Sequence, residues 1–487
     1  MNFRFSLFSC IAGAGLALSA IAADPPDAGG TPPNILFIFA DDLAFDALGT
    51  TGDGSVQTPH LDKLRDQGCC FEQAFNPGSW TPAICQASRT MLNTGKTVWK
   101  AAKYDRAKDK TPLWPELMHQ GGYETYFTGK WHVKSVGSKQ VFDHVGTERG
   151  GMPEQTQLCY DRKFIPGKPD AWRPDDQSQG GYWKGGRHWS EVVADEACGF
   201  LKQAGKSAKP FFMYVAFNAP HDPHQSYAKY LNKYPVDKIK LPDSFMPEYP
   251  YCRDIGAGPK LRDEWLAPFP RTPLSIKTNR REYYSMITHM DDQIGRILNT
   301  LSQEVTTPTY VIFTADQGVA MGDHGMIGKQ NMYEPAIRVP FFIAGPGIER
   351  KSTVREPIYI QSIMPTTLEL AGIPKQEHIA FPSLAPSLQG KRAGEQDIYG
   401  SYMGTQRMIR TAEWKMLIYP KIKRVRLFNR KDDPSEMKDL AEDPASIPVM
   451  KELFAKLKKL QKTQNDTLQL DPVFKEFLQS IPDNTPS

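Results

Sequence analysis

Five apolar runs, each about as long as a β-strand, constrain the fold of this 487-residue chain most strongly. They occupy residues 34–40, 123–128, 210–217, 309–315 and 339–344. Segments with helical periodicity lie between them, at residues 58–65, 191–202 and 281–301. Strands that are apolar on both faces and alternate with helices are typical of a parallel sheet with helices on both sides. The sequence therefore predicts an α/β fold with a large, mostly parallel sheet sandwiched by helices.

The character of the sequence changes after about residue 390. Four short strand-like segments follow, with turns between them, at residues 397–402, 408–411, 414–419 and 426–428. Residues 447–464 then carry the periodicity of an amphipathic, lysine-rich helix. We expect a large α/β domain over residues 24–393 and a small C-terminal α+β subdomain over residues 394–487. The small subdomain would consist of an antiparallel sheet and a helix.

Residues 1–23 have the three parts of a secretory signal peptide. Arg4 supplies the positive start, residues 5–18 are apolar or small, and Ala20-Ile21-Ala22 offers a cleavage site. The apolar run is too short for a membrane span, and no later segment is long and apolar enough to form one. We therefore expect an exported protein, periplasmic or secreted, without a transmembrane anchor.

Charge and cysteine content exclude some classes of function. With 59 Lys and Arg against 55 Asp and Glu, the formal net charge is +4, which is too weak to indicate a nucleic acid partner. The chain has seven cysteines, of which Cys10 lies in the predicted signal peptide. None of the others shows the C-x-x-C spacing of a zinc site.

Polar side chains follow four of the five apolar runs, close to the point where each run ends. They are Asp41 and Asp42, Lys130 and His132, His221, and Asp316 and Gln317. Binding sites in open α/β sheets lie at the carboxyl ends of the strands, so we expect these side chains to share one edge. Carboxylate and amide oxygens suit calcium or magnesium rather than zinc. The pattern predicts a metal site with oxygen ligands at this edge.

The segment Cys85-Gln86-Ala87-Ser88-Arg89 resembles the Cys-x-Pro/Ala-x-Arg signature of the type I sulfatases. Other motifs of that family occur in the family's order, within a resemblance over roughly residues 33–450: Asp41-Asp42, Gly129-Lys130-Trp131-His132, Ala219-Pro220-His221, Asp316-Gln317-Gly318 and Gly328-Lys329. The helix that begins near Glu191 resembles those of iduronate-2-sulfatase-like and marine polysaccharide sulfatases. The resemblance implies an alkaline phosphatase-like fold and a sulfuric ester hydrolase.

The same resemblance implies a modified cysteine and a calcium ion. Cys85 would be oxidised to formylglycine by a separate maturation enzyme, and a hydroxyl of the hydrated aldehyde would attack the sulfur of a sulfate ester. The calcium ion would be held by residue 85 together with Asp41, Asp42, Asp316 and Gln317.

The charged residues near the cysteine have expected roles as well. Arg89, Lys130 and Lys329 would supply fixed positive charge for the charge that develops on the sulfate oxygens. By resemblance, His132 would take the proton whose loss lets the carbonyl re-form and sulfate leave. His221, with Lys329, would protonate the departing alcohol.

Two positions depart from the family pattern. Ala87 stands where proline is commoner, and Gln317 stands where the family has Asn or His. Two other functions stay open at this point. One is a formylglycine-dependent phosphonate or phosphodiester hydrolase, because its substrate also carries a single ester charge. The other is an inactive member that binds sulfated glycans, for which the glutamine is the one supporting feature.

The segment 172–189 suggests where a substrate binds. It contains Trp172, Trp183 and Trp189, with Arg187 and His188 among its polar residues. Exposed aromatic rings stack on sugars, and basic side chains pair with sulfate or carboxylate groups. Together with export, the segment favours a sulfated polysaccharide or oligosaccharide, with Trp183, Arg187 and His188 as candidate contacts. Ordinary loop packing is the alternative explanation for the same residues.

Overall fold

The computed structural model of the protein describes residues 32–104, 111–150, 157–391 and 397–482. The predicted signal peptide over residues 1–23 lies outside these ranges, and so does the predicted domain boundary at residue 393. Among the described residues, no helix has both the length and the hydropathy needed to cross a membrane.

Strands and helices alternate along the first three quarters of the chain. The strands of the described ranges are β1 (Asn34–Ala40), β2 (Cys69–Phe71), β3 (Ala74–Phe75), β4 (Gly78–Ser79), β5 (Glu124–Gly129), β6 (His144–Glu148), β7 (Trp183–Lys184), β8 (Arg187–His188), β9 (Phe211–Ala216), β10 (Thr309–Ala315), β11 (Arg338–Val339), β12 (Phe341–Ala344), β13 (Ser352–Val354), β14 (Ile358–Tyr359), β15 (Ile398–Tyr402), β16 (Gln406–Arg410), β17 (Trp414–Tyr419) and β18 (Arg424–Asn429). The α-helices are α1 (Pro59–Gln67), α2 (Ile84–Thr94), α3 (Val98–Ala101), α4 (Trp114–Gln120), α5 (Trp189–Ala204), α6 (Ala228–Leu231), α7 (Cys252–Ile255), α8 (Pro273–Glu304), α9 (Glu334–Ile337), α10 (Ile363–Leu370), α11 (Ala385–Leu388), α12 (Ile447–Gln464) and α13 (Asp471–Ser480).

The main sheet has the strand order β13-β2-β12-β10-β1-β9-β5-β6 within the described residues. Strands β10, β1, β9, β5 and β6 are all parallel, whereas β12 runs antiparallel to β10. Every residue of β1 and β9 is buried, so both faces of the sheet are covered there. The predicted α/β fold with a large, mostly parallel sheet is confirmed.

Some elements differ from the sequence-based expectation for identifiable reasons. The apolar run at 339–344 is split into β11 and β12 by Pro340, which has no N–H for a sheet ladder. Helix α8 begins at Pro273, earlier than its apolar periodicity indicates, because the Thr272 hydroxyl caps it by accepting the Ser275 N–H at 3.1 Å. Helix α13 was not predicted.

A smaller sheet with the order β18-β17-β16-β15-β4 contains the C-terminal strands, which are antiparallel as expected. Its last strand, β4, comes from the N-terminal part of the chain and pairs in parallel with β15. Gly78 in β4 has φ +101°, and a Cβ placed there would lie 1.9 Å from the carbonyl oxygen of Ser401. Only glycine fits this close approach. The pairing ties the C-terminal sheet to the loop that leads into α2.

Candidate active site

Four neighbouring parallel strands, β10, β1, β9 and β5, end at the same edge of the main sheet. Asp41 and Asp42 follow β1, Asp316 and Gln317 follow β10, and Lys130 follows β5, while His221 lies in the loop after β9. All six side chains are buried. The backbone N–H of Asp42 donates to Oδ1 of Asp316 at 3.2 Å and so joins two of the strand ends directly. The sheet topology therefore brings these predicted site residues together.

Cys85 lies in the first turn of α2, so this helix begins beside the same edge of the sheet. Its Sγ is 3.3 Å from Nδ1 of His132. Ligand atoms of Cys85, Asp41 and Asp316 all lie within 4.8 Å of one another. Burial raises the pKa of the Cys85 thiol, although Lys130 and the nearby lysine at position 329 oppose the shift. The unmodified cysteine is therefore a protonated thiol and a weak nucleophile.

Arg89, one turn further along α2, holds three strand ends together. Its Nε donates to Oδ2 of Asp316 at 2.9 Å, and its Nη1 donates to the carbonyl oxygen of Lys130 at 2.6 Å. Its Nη2 is 3.8 Å from Oδ1 of Asp41. The guanidinium carbon lies 4.7 Å from the centre of the Phe39 ring. The side chain is fully buried and keeps its charge beside residue 85.

The two lysines pair with the two aspartates that follow β1. Lys130 Nζ donates to Asp41. Lys329 Nζ donates to both carboxylate oxygens of Asp42, at 2.8 and 2.7 Å. With the ion pair between Arg89 and Asp316, three cationic side chains face three carboxylates. All six of these side chains are buried. Such a preorganised set of charges suits an anionic substrate group.

Two buried oxygens at this edge fit a cation. Oδ1 of Asp41 and Oε1 of Gln317 have no hydrogen-bond partner among the described residues. An unpaired buried polar atom costs about 1–3 kcal/mol, and coordination to a metal ion would remove that cost. Nε2 of the same Gln317 donates to Asp42, so its amide group already lies among the carboxylates. The donors are all oxygens apart from residue 85, which suits calcium or magnesium.

The surroundings shift the pKa values of the two site histidines in opposite directions. Burial, with Lys130 and Arg89 nearby, lowers the pKa of His132 to about 3. Burial and Lys329 also disfavour a charged His221, but neighbouring carboxylates, chiefly Asp42, outweigh them and raise its pKa. At neutral pH the first ring is therefore a free base, whereas the surroundings of the second ring favour its protonated form. Such a divergence is typical of an acid and a base in one active site.

The segment 172–189 does not form an exposed aromatic surface. Trp172, Trp183, His188 and Trp189 are buried, so the expectation of exposure is wrong for them. Nε2 of His188 donates to the carbonyl oxygen of Gln225 at 3.0 Å, and its Nδ1 accepts the Ser190 N–H at 3.2 Å. These bonds use both ring nitrogens of His188 within the fold.

Arg187 differs from the other residues of this segment. It is exposed and forms an ion pair with Asp195 of α5. A role for Arg187 in substrate binding stays a prediction.

The buried part of this segment supports the loop that carries His221. The Tyr182 hydroxyl donates to the carbonyl oxygens of Asn218 and His221, at 2.6 and 3.0 Å. Nε1 of Trp189 donates to Oδ1 of Asn218 at 2.7 Å. Loop packing, the alternative stated above, therefore describes Trp183 and His188 in this structure.

Three charged residues near the site were not predicted from the sequence. Asp222, directly after His221, contacts that ring, and Arg262 and Asp263 lie beside Asp222 and Lys329 respectively. The Asp222-Pro223 pair, directly after the predicted His221, was a sequence signal that could have identified Asp222. Arg262 and Asp263 lie in a turn that carries neither a motif nor periodicity, and only the fold brings them to the site.

This combination of sheet, cysteine, cations and carboxylates fits an enzyme that hydrolyses esters of an anionic group. A family model for sulfatases matches residues 33–373, and the chain belongs to the sulfatase family. A second model, the C-terminal region of N-sulphoglucosamine sulphohydrolase, matches residues 322–463. The resemblance drawn from the motifs is thereby confirmed.

Named relatives are similar along most of their length. An N-acetylglucosamine-6-O-sulfatase of Bacteroides thetaiotaomicron is 24% identical, over 94% of this chain and 90% of its own. An iduronate 2-sulfatase of Mus musculus is 25% identical, over 72% of this chain and 70% of its own. A solved structure described in complex with its substrate D-glucosamine-2-N,6-O-disulfate superposes with a TM-score of 0.71 at 23% identity, covering 91% of this chain and 100% of that one.

Proposed function

We propose that this sulfatase removes sulfate from a sulfated carbohydrate, with residue 85 as the nucleophile after its conversion to formylglycine. The observation that carries the proposal is the position of Cys85, with its Sγ 3.3 Å from His132 and among the ligand atoms of Asp41 and Asp316. The names of the relatives, an N-acetylglucosamine-6-O-sulfatase and an iduronate 2-sulfatase, support a carbohydrate as the alcohol part of the ester.

The state of the thiol supports the conversion of Cys85. A buried thiol with a raised pKa is poorly suited to attack as a thiolate. Conversion to formylglycine is a two-electron oxidation at Cβ, in which water supplies the aldehyde oxygen and the sulfur leaves as sulfide. A separate maturation enzyme brings the oxidant. The protein would then meet its substrate outside the cytoplasm, in line with the predicted signal peptide over residues 1–23.

We expect Asp41, Asp42, Asp316 and Gln317 to hold a calcium ion together with residue 85. The unpaired oxygens of Asp41 and Gln317 support this assignment. When bound, the ion polarises the sulfate group and stabilises the negative charge on its oxygens.

The histidines divide the proton transfers between them. His132 would accept a proton from the hydroxyl at residue 85, whose place is marked by the Sγ atom 3.3 Å away. As the bond from sulfur to the alcohol oxygen breaks, its electron pair stays on that oxygen, and His221 donates the proton from Nε2. Arg89, Lys130 and Lys329 hold the sulfate oxygens with fixed positive charge. All of these groups lie between residues 41 and 329, which supports a catalytic domain over residues 24–393, with a subdomain over residues 394–487.

Substrate profiling tests the proposed function. The protein is produced with a formylglycine-generating maturation enzyme and given sulfated glucosamines, uronates and galactans, together with 4-nitrophenyl sulfate and a 4-nitrophenyl phosphodiester. We expect inorganic sulfate from at least one sulfated saccharide, with kcat/KM above that for the aryl sulfate, because binding energy from the sugar acts in the transition state. Protein made without the maturation enzyme is the control.

Two outcomes would contradict the proposal. Faster turnover of the phosphodiester than of every sulfate would favour the phosphodiester hydrolase considered above. Tight binding of sulfated glycans without release of sulfate, by protein in which residue 85 is converted, would favour an inactive binding protein.

A further inference from the structure

Six ionisable side chains form a closed ring beside residue 85, in which His, Arg and Lys alternate with Asp, and this set is here called the charge ring. In order, its members are His221, Asp222, Arg262, Asp263, Lys329 and Asp42. His221, Lys329 and Asp42 already have proposed roles in catalysis. Asp222, Arg262 and Asp263 have none, and they complete the ring on the side away from the strand ends.

The first half of the charge ring runs from His221 to Asp263. Nδ1 of His221 lies 3.1 Å from Oδ1 of Asp222, and Oδ2 of Asp222 accepts from Nη1 of Arg262 at 2.6 Å. Nη2 of the same arginine lies 3.2 Å from Oδ1 of Asp263. One guanidinium group therefore bridges two carboxylates, a geometry that its planar fork allows and a lysine ammonium does not reproduce.

The second half returns to His221 through the lysine. Oδ1 of Asp263 is 3.7 Å from Nζ of Lys329, which lies 2.7 Å from Oδ2 of Asp42. That same oxygen is 3.6 Å from Nε2 of His221. Each proposed proton donor thus has one partner at the strand end and one on the outer side of the ring.

We propose that Asp222, Arg262 and Asp263 are positioning residues that act as one unit to aim His221 and Lys329 at the leaving oxygen of the substrate. The inference rests on the proposed function of His221 as the group that protonates the departing alcohol. It adds residues that do not touch the reacting atoms and that act through the two groups that do.

The hydrogen bonds of His221 fix the direction of its ring. Nδ1 also donates to the backbone carbonyl oxygen of Asp222 at 2.8 Å, and a carbonyl oxygen can only accept. Nδ1 therefore carries a hydrogen, and Nε2 is the atom that faces the site. A histidine whose other nitrogen is held by a carboxylate keeps its orientation during proton transfer. The Tyr160 hydroxyl also donates to Asp222, so this carboxylate is itself held in place.

The turn that carries Arg262 and Asp263 is attached to the segment before Lys329. Glu264, the next residue, accepts the backbone N–H groups of Ile327 and Gly328 at 3.0 and 2.9 Å. Displacement of this turn would therefore move Arg262 and Asp263 together with the backbone next to Lys329. Arg262 keeps 22% of its side chain exposed, against 5% for Asp222 and 2% for Lys329. It is the member of the ring nearest to solvent.

The test compares substrates whose leaving groups differ. Asp222→Asn, Asp263→Asn and Arg262→Lys are assayed with 4-nitrophenyl sulfate, whose leaving group needs little protonation, and with the best sulfated saccharide. We expect Asp222→Asn to lower kcat for the saccharide by about 100-fold and kcat for the aryl sulfate by less than about fivefold, with KM changed little. Arg262→Lys should lose about tenfold on the saccharide, because the lysine keeps the charge without the fork.

A double variant and a matched control show whether the effect passes through His221. Asp222→Asn combined with His221→Ala should be no slower than His221→Ala alone, because residues that act as a unit are not additive. Asp466→Asn serves as the control. It removes another buried carboxylate that pairs with an arginine, Arg407 at 2.7 Å, in the C-terminal part of the chain. It should not change the ratio of the two activities.

Each outcome separates this inference from the proposed function. Equal losses on both substrates in all three ring variants, with unchanged melting temperatures, would overturn the inference while His221→Ala still shows a selective loss. If His221→Ala is not selective either, the proposed role of His221 fails and the inference fails with it. If Asp222→Asn does not fold, Arg262→Lys and Asp263→Asn decide the matter, because they keep the Asp222 contact with the histidine.

Discussion

At the scale of single residues, the site combines groups that would be unstable alone. Asp42 and His132 have φ values of 64° and 57°, a backbone conformation that costs non-glycine residues about 1–3 kcal/mol each. Buried carboxylates and buried cations would each be costly without partners. They are tolerated because they pair with one another, and residue 85 lies among both the cations and the carboxylates.

The metal assignment predicts a specific loss for Asp316→Asn. This substitution removes one anionic ligand and the 2.9 Å contact with Arg89. We expect elemental analysis to find little calcium in the variant, and kcat/KM to fall at least about 100-fold. Asp195→Asn, which alters an exposed ion pair, should keep both its metal and its activity. Full calcium content in Asp316→Asn would show that the ligand set is wrong.

The pH dependence of turnover follows from the two histidines. The raised pKa of His221 extends its protonated form to higher pH, so activity on a poor leaving group should fall as the pH rises through that pKa. His132, with its pKa lowered to about 3, remains a free base throughout the mildly acidic range. His221→Ala should therefore remove the alkaline decline in kcat for a sulfated saccharide. An unchanged decline in that variant would assign it to another group.

At the scale of secondary-structure elements, helix α2 and strand β4 connect the nucleophile to both parts of the chain. Ser88 of α2 donates to the carbonyl oxygen of Asp316 at 2.8 Å, and so fixes the helix to the end of β10. Five residues before α2, β4 pairs with β15 of the C-terminal sheet. Apolar side chains of both parts, including Ile84 and Leu417, share one buried cluster. The position of residue 85 therefore depends on the C-terminal sheet as well as on the main one.

A pair of glycine substitutions measures this dependence. Gly78→Ala should lower the free energy of unfolding by about 3 kcal/mol, because its Cβ would lie 1.9 Å from the Ser401 carbonyl oxygen. Gly54→Ala is the matched control, since Gly54 also has a positive φ, +78°, but open space around it. It should cost only about 1 kcal/mol, the backbone strain alone. Equal losses in denaturant titrations would mean that the β4 pairing contributes little.

The buried segment 172–189 gives a second prediction at this scale. Trp183→Ala should destabilise the fold by about 3–5 kcal/mol and lower activity on every substrate alike. Arg187→Ala should cost about 0–1 kcal/mol, since it removes only an exposed ion pair. Thermal melts and assays with aryl and saccharide sulfates would check both. If Trp183→Ala is stable and loses activity only on saccharides, Trp183 contacts the substrate, as the sequence suggested.

At the scale of the whole molecule, the sequence predicted those parts of the fold and site that depend on a short stretch of chain. Continuous apolar runs identified β1, β9 and β10, and the rule that sites lie at strand ends linked Asp41 to Asp316 across 275 residues of chain. The rest depends on contacts that no local pattern records. The pairing of β4 with β15 and the approach of Arg262 to Asp222 are set by packing between distant segments. Tryptophans with basic neighbours look alike in an exposed loop and in a packed one, which explains the wrong expectation for Trp183.

The most direct test measures the chemical state of residue 85 and the rate of sulfate release in the same protein sample. Protein produced with a maturation enzyme is divided between peptide mass spectrometry over residue 85 and an assay for sulfate released from a sulfated saccharide. We predict an aldehyde at this position, turnover in proportion to the converted fraction, and no turnover above background for Cys85→Ala. Release of sulfate by Cys85→Ala at the rate of the converted wild type would contradict the account.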